Sequence, residues 1–315
     1  MVTIEDIRAA QRQLAGRVHR TPMLASSALG QRLGVQLFIK AELFQKTGSF
    51  KVRGVLNRIG QLSAEQRSRG LIGISAGNHA QALAWGAAAA GVKSVVVMPA
   101  HASPTKVAAS RAYGAEIVLH GDVFAAFAKL DELRERHGYT LVHPFDDEGI
   151  IAGHGTAGIE IVEDVPDVDA VIVPVGGGGL LSGIATAVRA LRPRAQVWGV
   201  EPEGAAGLRA ALDAGRVVRL EHVHSVADGL APPMTGERVL EHVRAHVHEV
   251  VTVPDTDIVD AMKLLMTRAK LFVEPSGAAG LAALLSGKIR LPAGSRVVVV
   301  ASGGNLDLDR LKELL

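Results

Sequence analysis

Short apolar runs rich in Val and Ile alternate with helical segments twice along this chain, and few folds accommodate that pattern. The first series predicts strand Leu71–Ser75, helix His79–Ala90, strand Ser94–Met98, helix Pro104–Tyr113, strand Glu116–Leu119, helix Val123–Arg136 and strand Thr140–Val142. The second predicts helix Ile150–Val162, strand Ala170–Val175, helix Leu180–Leu191 and strand Val197–Val200. Strand Val247–Val253, helices Thr256–Lys270 and Gly277–Leu285, and strand Arg296–Ala301 follow. Strands that are apolar on both sides belong in sheets covered on both faces, and strands joined through helices run parallel. The chain therefore reads as α/β, with parallel-rich sheets covered by helices and two lobes flanking a cleft. Ahead of these series, Thr3 to Leu14 has helical spacing, with Thr3 and Asp6 placed as a capping box, and Leu37-Phe38-Ile39 reads as a short strand.

Hydrophobic residues make up 48% of the 315 but aromatics only 3%, so Ala, Val, Leu and Ile must fill the core. Lys and Arg number 34 against 32 Asp and Glu, a net charge of +2, with no basic block; nucleic acid is not an expected partner. The absence of cysteine removes disulfides, thiolate catalysis and Cys-ligated metals. The N-terminal Thr3-Ile4-Glu5-Asp6-Ile7-Arg8 is charged and has no apolar signal core. The uncharged stretch from Ala170 to Val188 approaches membrane-span length, but Pro174 and four glycines break it. A soluble, cytoplasmic protein without a membrane partner is expected.

Those glycines, Gly176-Gly177-Gly178-Gly179, lie between a strand and a helix beginning near Leu180. Successive N–H groups without side chains, at the positive end of a helix, suit a phosphate. The loop lacks the Lys-Ser/Thr ending of a nucleotide-triphosphate loop. A nicotinamide dinucleotide is a rival occupant: Gly177-x-Gly179-x-x-Ser182 opens a helix, and Glu201 ends the next strand about 20 residues on, where a ribose ligand belongs. A merely tight turn is the third reading.

Two further segments carry chemistry. Lys51 follows a Thr47-Gly48-Ser49 turn and an aromatic, Phe50; a lysine in a helical stretch is ordinarily a solvated side chain. The loop Ser75-Ala76-Gly77-Asn78-His79 joins a strand to an Ala-rich helix, offering N–H groups and an amide to a carboxylate. Ordinary capping by Ser75 or Asn78 is the alternative.

Taken together, Ser49-Phe50-Lys51, Ser75 to His79, the glycine tetrad and Ser302-Gly303-Gly304-Asn305 resemble the fold-type II pyridoxal-5′-phosphate (PLP) enzymes, tryptophan synthase beta-like in architecture. More narrowly they resemble the threonine/serine dehydratase and serine racemase group, from about Thr21-Pro22 to Asp307. The resemblance implies that Lys51 binds the cofactor covalently and serves as the catalytic base. It places Phe50 against the pyridine ring, Asn78 on the ring hydroxyl and Ser302 on the ring nitrogen. The phosphate falls to Gly176, Gly177, Gly178, Gly179 and the Leu180 N–H. Ser75, Ala76, Gly77, Asn78 and His79 would hold the substrate carboxylate. Residues 1–69 with 146–315 would form a large cofactor-binding domain, and 70–145 a small mobile one. A homodimer is expected on the same ground, with a hydroxy amino acid as the small-molecule substrate.

The implied activity is a PLP-dependent ammonia-lyase turning L-threonine into 2-oxobutanoate and L-serine into pyruvate. Threo-3-hydroxyaspartate dehydratase and serine racemase are the alternatives within the family, and a nicotinamide oxidoreductase the alternative outside it. In the racemases a serine stands where this chain has Ala76, and a methyl group cannot move protons. Family members bind Mg2+ or Ca2+ through a Glu, a carbonyl and an Asp. Glu201 matches the first here and Ala205 could supply the carbonyl, but the Asp position holds Gly207, which weakens the site; Glu201 is the candidate side-chain ligand of a possible, not an expected, cation. His242, His246 and His248 with Glu241 lack His-Glu-x-x-His spacing and read as a solvated polar patch. Glu274 and Asp228-Gly229 resemble family positions lining the site, although Glu274 also suits the start of a helix.

Overall fold

The structure is a computed structural model that describes residues 1–315. Ten strands run in chain order: β1 (Met23–Ala25), β2 (Gln36–Ala41), β3 (Leu71–Ile74), β4 (Ser94–Met98), β5 (Glu116–Leu119), β6 (Thr140–Leu141), β7 (Ala170–Pro174), β8 (Gln196–Pro202), β9 (Glu249–Val253) and β10 (Arg296–Ala301). They form a six-stranded sheet, β1-β2-β10-β7-β8-β9, and a four-stranded one, β5-β4-β3-β6. Every pairing is parallel except β1 against β2. The α/β reading stands.

Period-two side-chain alternation feeds both faces of each sheet. Val171, Val173, Val298 and Val300 pack against helices Glu148–Asp164 and Gly179–Leu191. Their neighbours Ala170, Ile172, Val297 and Val299 pack on helices Asp255–Leu264 and Pro275–Leu285. In the smaller sheet Leu71, Val96 and Met98 face helix Asn78–Ala89, while Ile72, Val95 and Val97 face Ala126 and Leu130 of helix Val123–His137. Both sheets are covered on both faces, which is why their strands are uninterrupted Val and Ile runs.

The core under the four-stranded sheet also draws in Val52, Val55, Leu56 and Ile59 from helix Lys51–Gln61, and Ile150. That helix is pressed onto helix Glu148–Asp164 by paired glycines. A Cβ on Gly153 would lie 2.5 Å from the Arg53 carbonyl oxygen, and one on Gly54 2.5 Å from His154 Nε2. Such an approach is open only to glycine. Lys51 is thereby mounted where the two sheets' cores meet.

The expected helix over Thr256–Lys270 is α-helical only to Leu264. Leu265–Ala269 form a π turn, ended by Lys270 at φ 60°. The Thr3–Asp6 capping box forms as expected. No helix is long and apolar enough to cross a membrane.

Candidate active site

Lys51 opens its helix behind a tight turn in which Thr47 and Gly48 take φ 61° and 71°. The extended segment between is stitched to the chain after β10. Ser49 bridges Gly303, the Phe50 N–H donates to the Ser302 carbonyl at 3.1 Å, and the Gly304 N–H donates to Gly48 at 3.0 Å. The Lys51 ammonium nitrogen lies 5.0 Å from the Phe50 ring centre and donates to the Pro144 carbonyl at 2.8 Å. Burial holds its pKa down at about 8, because no carboxylate compensates the lost hydration. A substantial share of the amine is then neutral near physiological pH, as a nucleophile or base must be.

The glycine loop leaves β7 and enters helix Gly179–Leu191 with Gly178 at φ 91°. None of the N–H groups from Gly176 to Leu180 donates to another backbone group. A row of free donors at a helix N-terminus is a phosphate cradle. Side chains are excluded: a Cβ on Gly177 would lie 2.1 Å from the Phe145 ring, and one on Gly179 2.6 Å from the Phe145 carbonyl.

The Ser75–His79 loop leaves β3 and starts helix Asn78–Ala89. Ser75 Oγ accepts the Gly77 N–H at 3.0 Å, and the backbone at Gly77 faces open space, since a Cβ there would meet nothing within 4 Å. Asn78 does not cap its helix; the N-cap is Gly77. Its Nδ2 donates to Glu274 Oε1 at 2.6 Å and its Oδ1 accepts from Asn305 Nδ2 at 2.8 Å, which fixes the amide's orientation. A Cβ on Gly303 would intrude to 2.4 Å of Glu274 Oε1, so the glycine after Ser302 makes room for this pair. Burial, with the charge of Asp228 adding, pushes the Glu274 carboxyl up to about 7. Glu274 starts helix Pro275–Leu285 without capping it by its side chain; its partner is Asn78. His79 is buried, with Nε2 3.0 Å from the Val142 carbonyl, so Nε2 carries the proton. Burial and then Lys51 press its pKa to about 3. Ser302 is buried beside these groups.

Sequence reasoning missed two parts. The turn His143-Pro144-Phe145-Asp146 supplies the carbonyl at Lys51 and the ring over the glycine loop; a Pro-containing step from strand to helix was its only signal. Behind Lys51, the fully buried Arg53 pairs with Glu42 at 2.8 Å and Glu160 at 2.7 Å, and the buried Lys40 reaches Glu160 at 2.7 Å.

Glu201 fits neither of its candidate roles. Its carboxylate is fully buried, and its two oxygens accept the Leu208 and Arg209 N–H groups at 2.8 Å each, capping helix Gly207–Ala214. The carboxylate is thus engaged at a helix start and shielded from solvent, and no group of three or more His, Asp or Glu side chains is placed to hold a metal. His242 is likewise no part of a solvated patch. It is buried, with Nε2 accepting the Val2 N–H at 2.8 Å and Nδ1 2.6 Å from the Arg238 carbonyl.

The family model described as pyridoxal-phosphate dependent enzyme matches residues 14–303. The chain belongs to that family. Among its relatives in the pyridoxal-phosphate dependent family, an L-threonine ammonia-lyase of Thermotoga maritima is 42% identical over 316 residues, covering 100% of this chain and 78% of the relative. A solved T.th. threonine deaminase is 45% identical at a TM-score of 0.91, covering 97% and 99% of the two chains. Maize serine racemase superposes at a TM-score of 0.94 with 38% identity, covering 99% and 96%.

Proposed function

We propose that this chain is a threonine/serine ammonia-lyase in which Lys51 binds PLP and acts as the base. The observation that carries the reading is the Lys51 amine, its pKa lowered to about 8 by burial and bonded to the Pro144 carbonyl of the turn whose Phe145 packs on the glycine loop with its free N–H donors. The residues present fit the cofactor. The N–H groups of Gly176 to Leu180 would take its phosphate, Asn78 its ring hydroxyl and Ser302 its ring nitrogen, with Phe50 against the ring. Once bound, PLP supplies an electron sink that acidifies the substrate α-proton. Ser75 to His79 bind the substrate carboxylate with loop N–H groups, and Lys51 removes the α-proton from its own face. Loss of the β-hydroxyl and hydrolysis then give a 2-oxo acid and ammonia. A serine hydroxyl such as that of Ser302, unlike a carboxylate, would not hold the ring nitrogen protonated, which would suit elimination. We assign 70–145 to a lobe that closes on substrate over the larger one, 1–69 with 146–315, in a cytoplasmic homodimer.

The likeness to maize serine racemase favours racemisation as a second reading. Ala76 weighs against it, since its methyl group cannot return a proton to the face opposite Lys51. Purified protein given L-threonine, L-serine and threo-3-hydroxyaspartate should release 2-oxo acid from the first two, with little D-serine. Ala76→Ser should raise D-serine relative to pyruvate, within the ~10²- to 10⁴-fold range of a positioned acid–base group. Substantial D-serine from the unmodified enzyme would put the racemase reading first.

A further inference from the structure

The turn His143-Pro144-Phe145-Asp146 is built around one ring nitrogen. His143 Nδ1 accepts the Asp146 N–H at 2.8 Å and the Phe145 N–H at 3.2 Å, so it carries no proton. Its ring meets the Phe145 ring edge-on at 4.7 Å, and that ring lies where a Gly177 side chain would be. Asp146 Oδ1 in turn accepts the Val239 N–H at 3.1 Å, tying the turn to helix Glu237–His246. Between the two anchored N–H groups and β6 sits the Pro144 carbonyl, the acceptor of the Lys51 amine.

Resting on the assignment of Lys51 as the cofactor lysine, we propose that His143 is a positioning residue: its Nδ1 holds the turn whose Pro144 carbonyl receives the Lys51 amine whenever that amine is not bonded to the cofactor. A lysine that alternates between covalent anchor and base needs a defined resting place. A neutral carbonyl provides one without the charge that a carboxylate would impose. The same turn lays Phe145 over the glycine loop.

Burial alone shifts Lys51, and the charge of Lys51 bears in turn on histidines from three elements: His79 on helix Asn78–Ala89, His143 in the turn and His154 on helix Glu148–Asp164. All three are held below the ordinary histidine pKa chiefly by burial, so they are neutral around Lys51 near pH 8. Asp146, Asp147 and Arg238 bear on His143 itself. Loosening the turn hydrates the amine and raises its pKa toward the ordinary lysine value.

Asn and His both carry their acceptor on Cγ, so His143→Asn keeps a bond to the two N–H groups, whereas His143→Leu removes it. The full chain, freed of cofactor and checked for folding by circular dichroism, is labelled with acetic anhydride across pH, and the Lys51 peptide is quantified by mass spectrometry. The unmodified chain should titrate near pH 8. His143→Leu should label at least about fivefold more slowly at pH 8, with its profile moved to higher pH, and His143→Asn should restore most of the loss. If His143→Leu does not fold, His143→Gln, whose acceptor lies one bond farther out, replaces it with the same expectation. An unchanged profile in the folded Leu or Gln variant, or an Asn variant no better than Leu, overturns the proposal. Borohydride reduction of the unmodified PLP-loaded chain separates the two readings: cofactor fixed on a lysine other than Lys51 would refute the active-site assignment itself.

Discussion

Glu274 shows how a single carboxyl in this site trades charge against position. Its folded pKa of about 7 stands above the ordinary unfolded value of about 4.3. The stability it contributes is therefore fully present below pH 4 or so and lost as pH rises through about 7. Glu201, also raised to about 7 by burial, tilts the curve the same way, and Lys51, lowered to about 8, tilts it oppositely as pH falls. Only a difference experiment isolates Glu274. Glu274→Gln keeps an oxygen for Asn78 but never ionises, so its unfolding free energy should gain on the parent's as pH rises from about 5 to 9, by roughly 2–3 kcal/mol in all, and its melting temperature should rise relative to the parent's. Thermal melts of the two proteins across that range test this, and parallel curves would show that Glu274 does not titrate as argued. The residue was legible in sequence only through its resemblance to a family position. Its partner Asn78 stands 196 residues away, and the pair meets only because Gly303 leaves room.

At the scale of elements, the buried cluster Arg53–Glu42–Glu160–Lys40 ties helix Lys51–Gln61, β2 and helix Glu148–Asp164 together behind the site. Arg53 is forked between two carboxylates with no solvent exposure, so Arg53→Met strands the buried Glu42 charge and leaves Glu160 to Lys40 alone. Stability should fall by about 3–5 kcal/mol, and Arg53→Lys, which lacks the fork, by less but still measurably. Urea unfolding decides it; a loss under about 1 kcal/mol for the Met variant would mean the cluster is dispensable. None of this was readable in the sequence, because the partners of Arg53 lie 11 and 107 residues away and ionic pairing leaves no local pattern. Legible features were those written locally: Val and Ile runs for doubly covered strands, glycines for the cradle, Thr3 with Asp6 for a cap. The π turn at Leu265–Ala269 escaped because no Gly or Pro marks it. The place of helix Lys51–Gln61 under the smaller sheet escaped because apolar spacing says which face is buried, not against what.

Across the whole molecule, the start of helix Pro104–Ala112 reaches from the four-stranded sheet's side to segments beyond the six-stranded sheet's strands. Ser103 Oγ donates to Asp307 Oδ2 at 2.6 Å, and Lys106 pairs with Asp228, which adjoins Gly229 against Gly176. On the two-lobe assignment proposed above, these contacts join 70–145 to the larger lobe near both the Ser302 motif and the glycine loop, and would belong to its closed arrangement. Opening must break both, and a substrate that binds across the cleft must offset less when both are formed. Removing them in Ser103→Ala/Lys106→Met forfeits roughly 1 kcal/mol per bond, shifting the open–closed equilibrium about tenfold or more toward open. The double variant should therefore show a several-fold higher KM for L-threonine and faster limited proteolysis across 99–122, with the visible PLP absorbance retained because no residue assigned to the cofactor is altered. Raised salt should weaken the exposed Lys106–Asp228 pair and move the parent enzyme part of the way toward the variant, but leave the variant unmoved. Identical KM, proteolysis and salt response in the two proteins would show that the lobes are held together by their apolar core at helix Lys51–Gln61, and that closure, if it governs binding, is driven elsewhere.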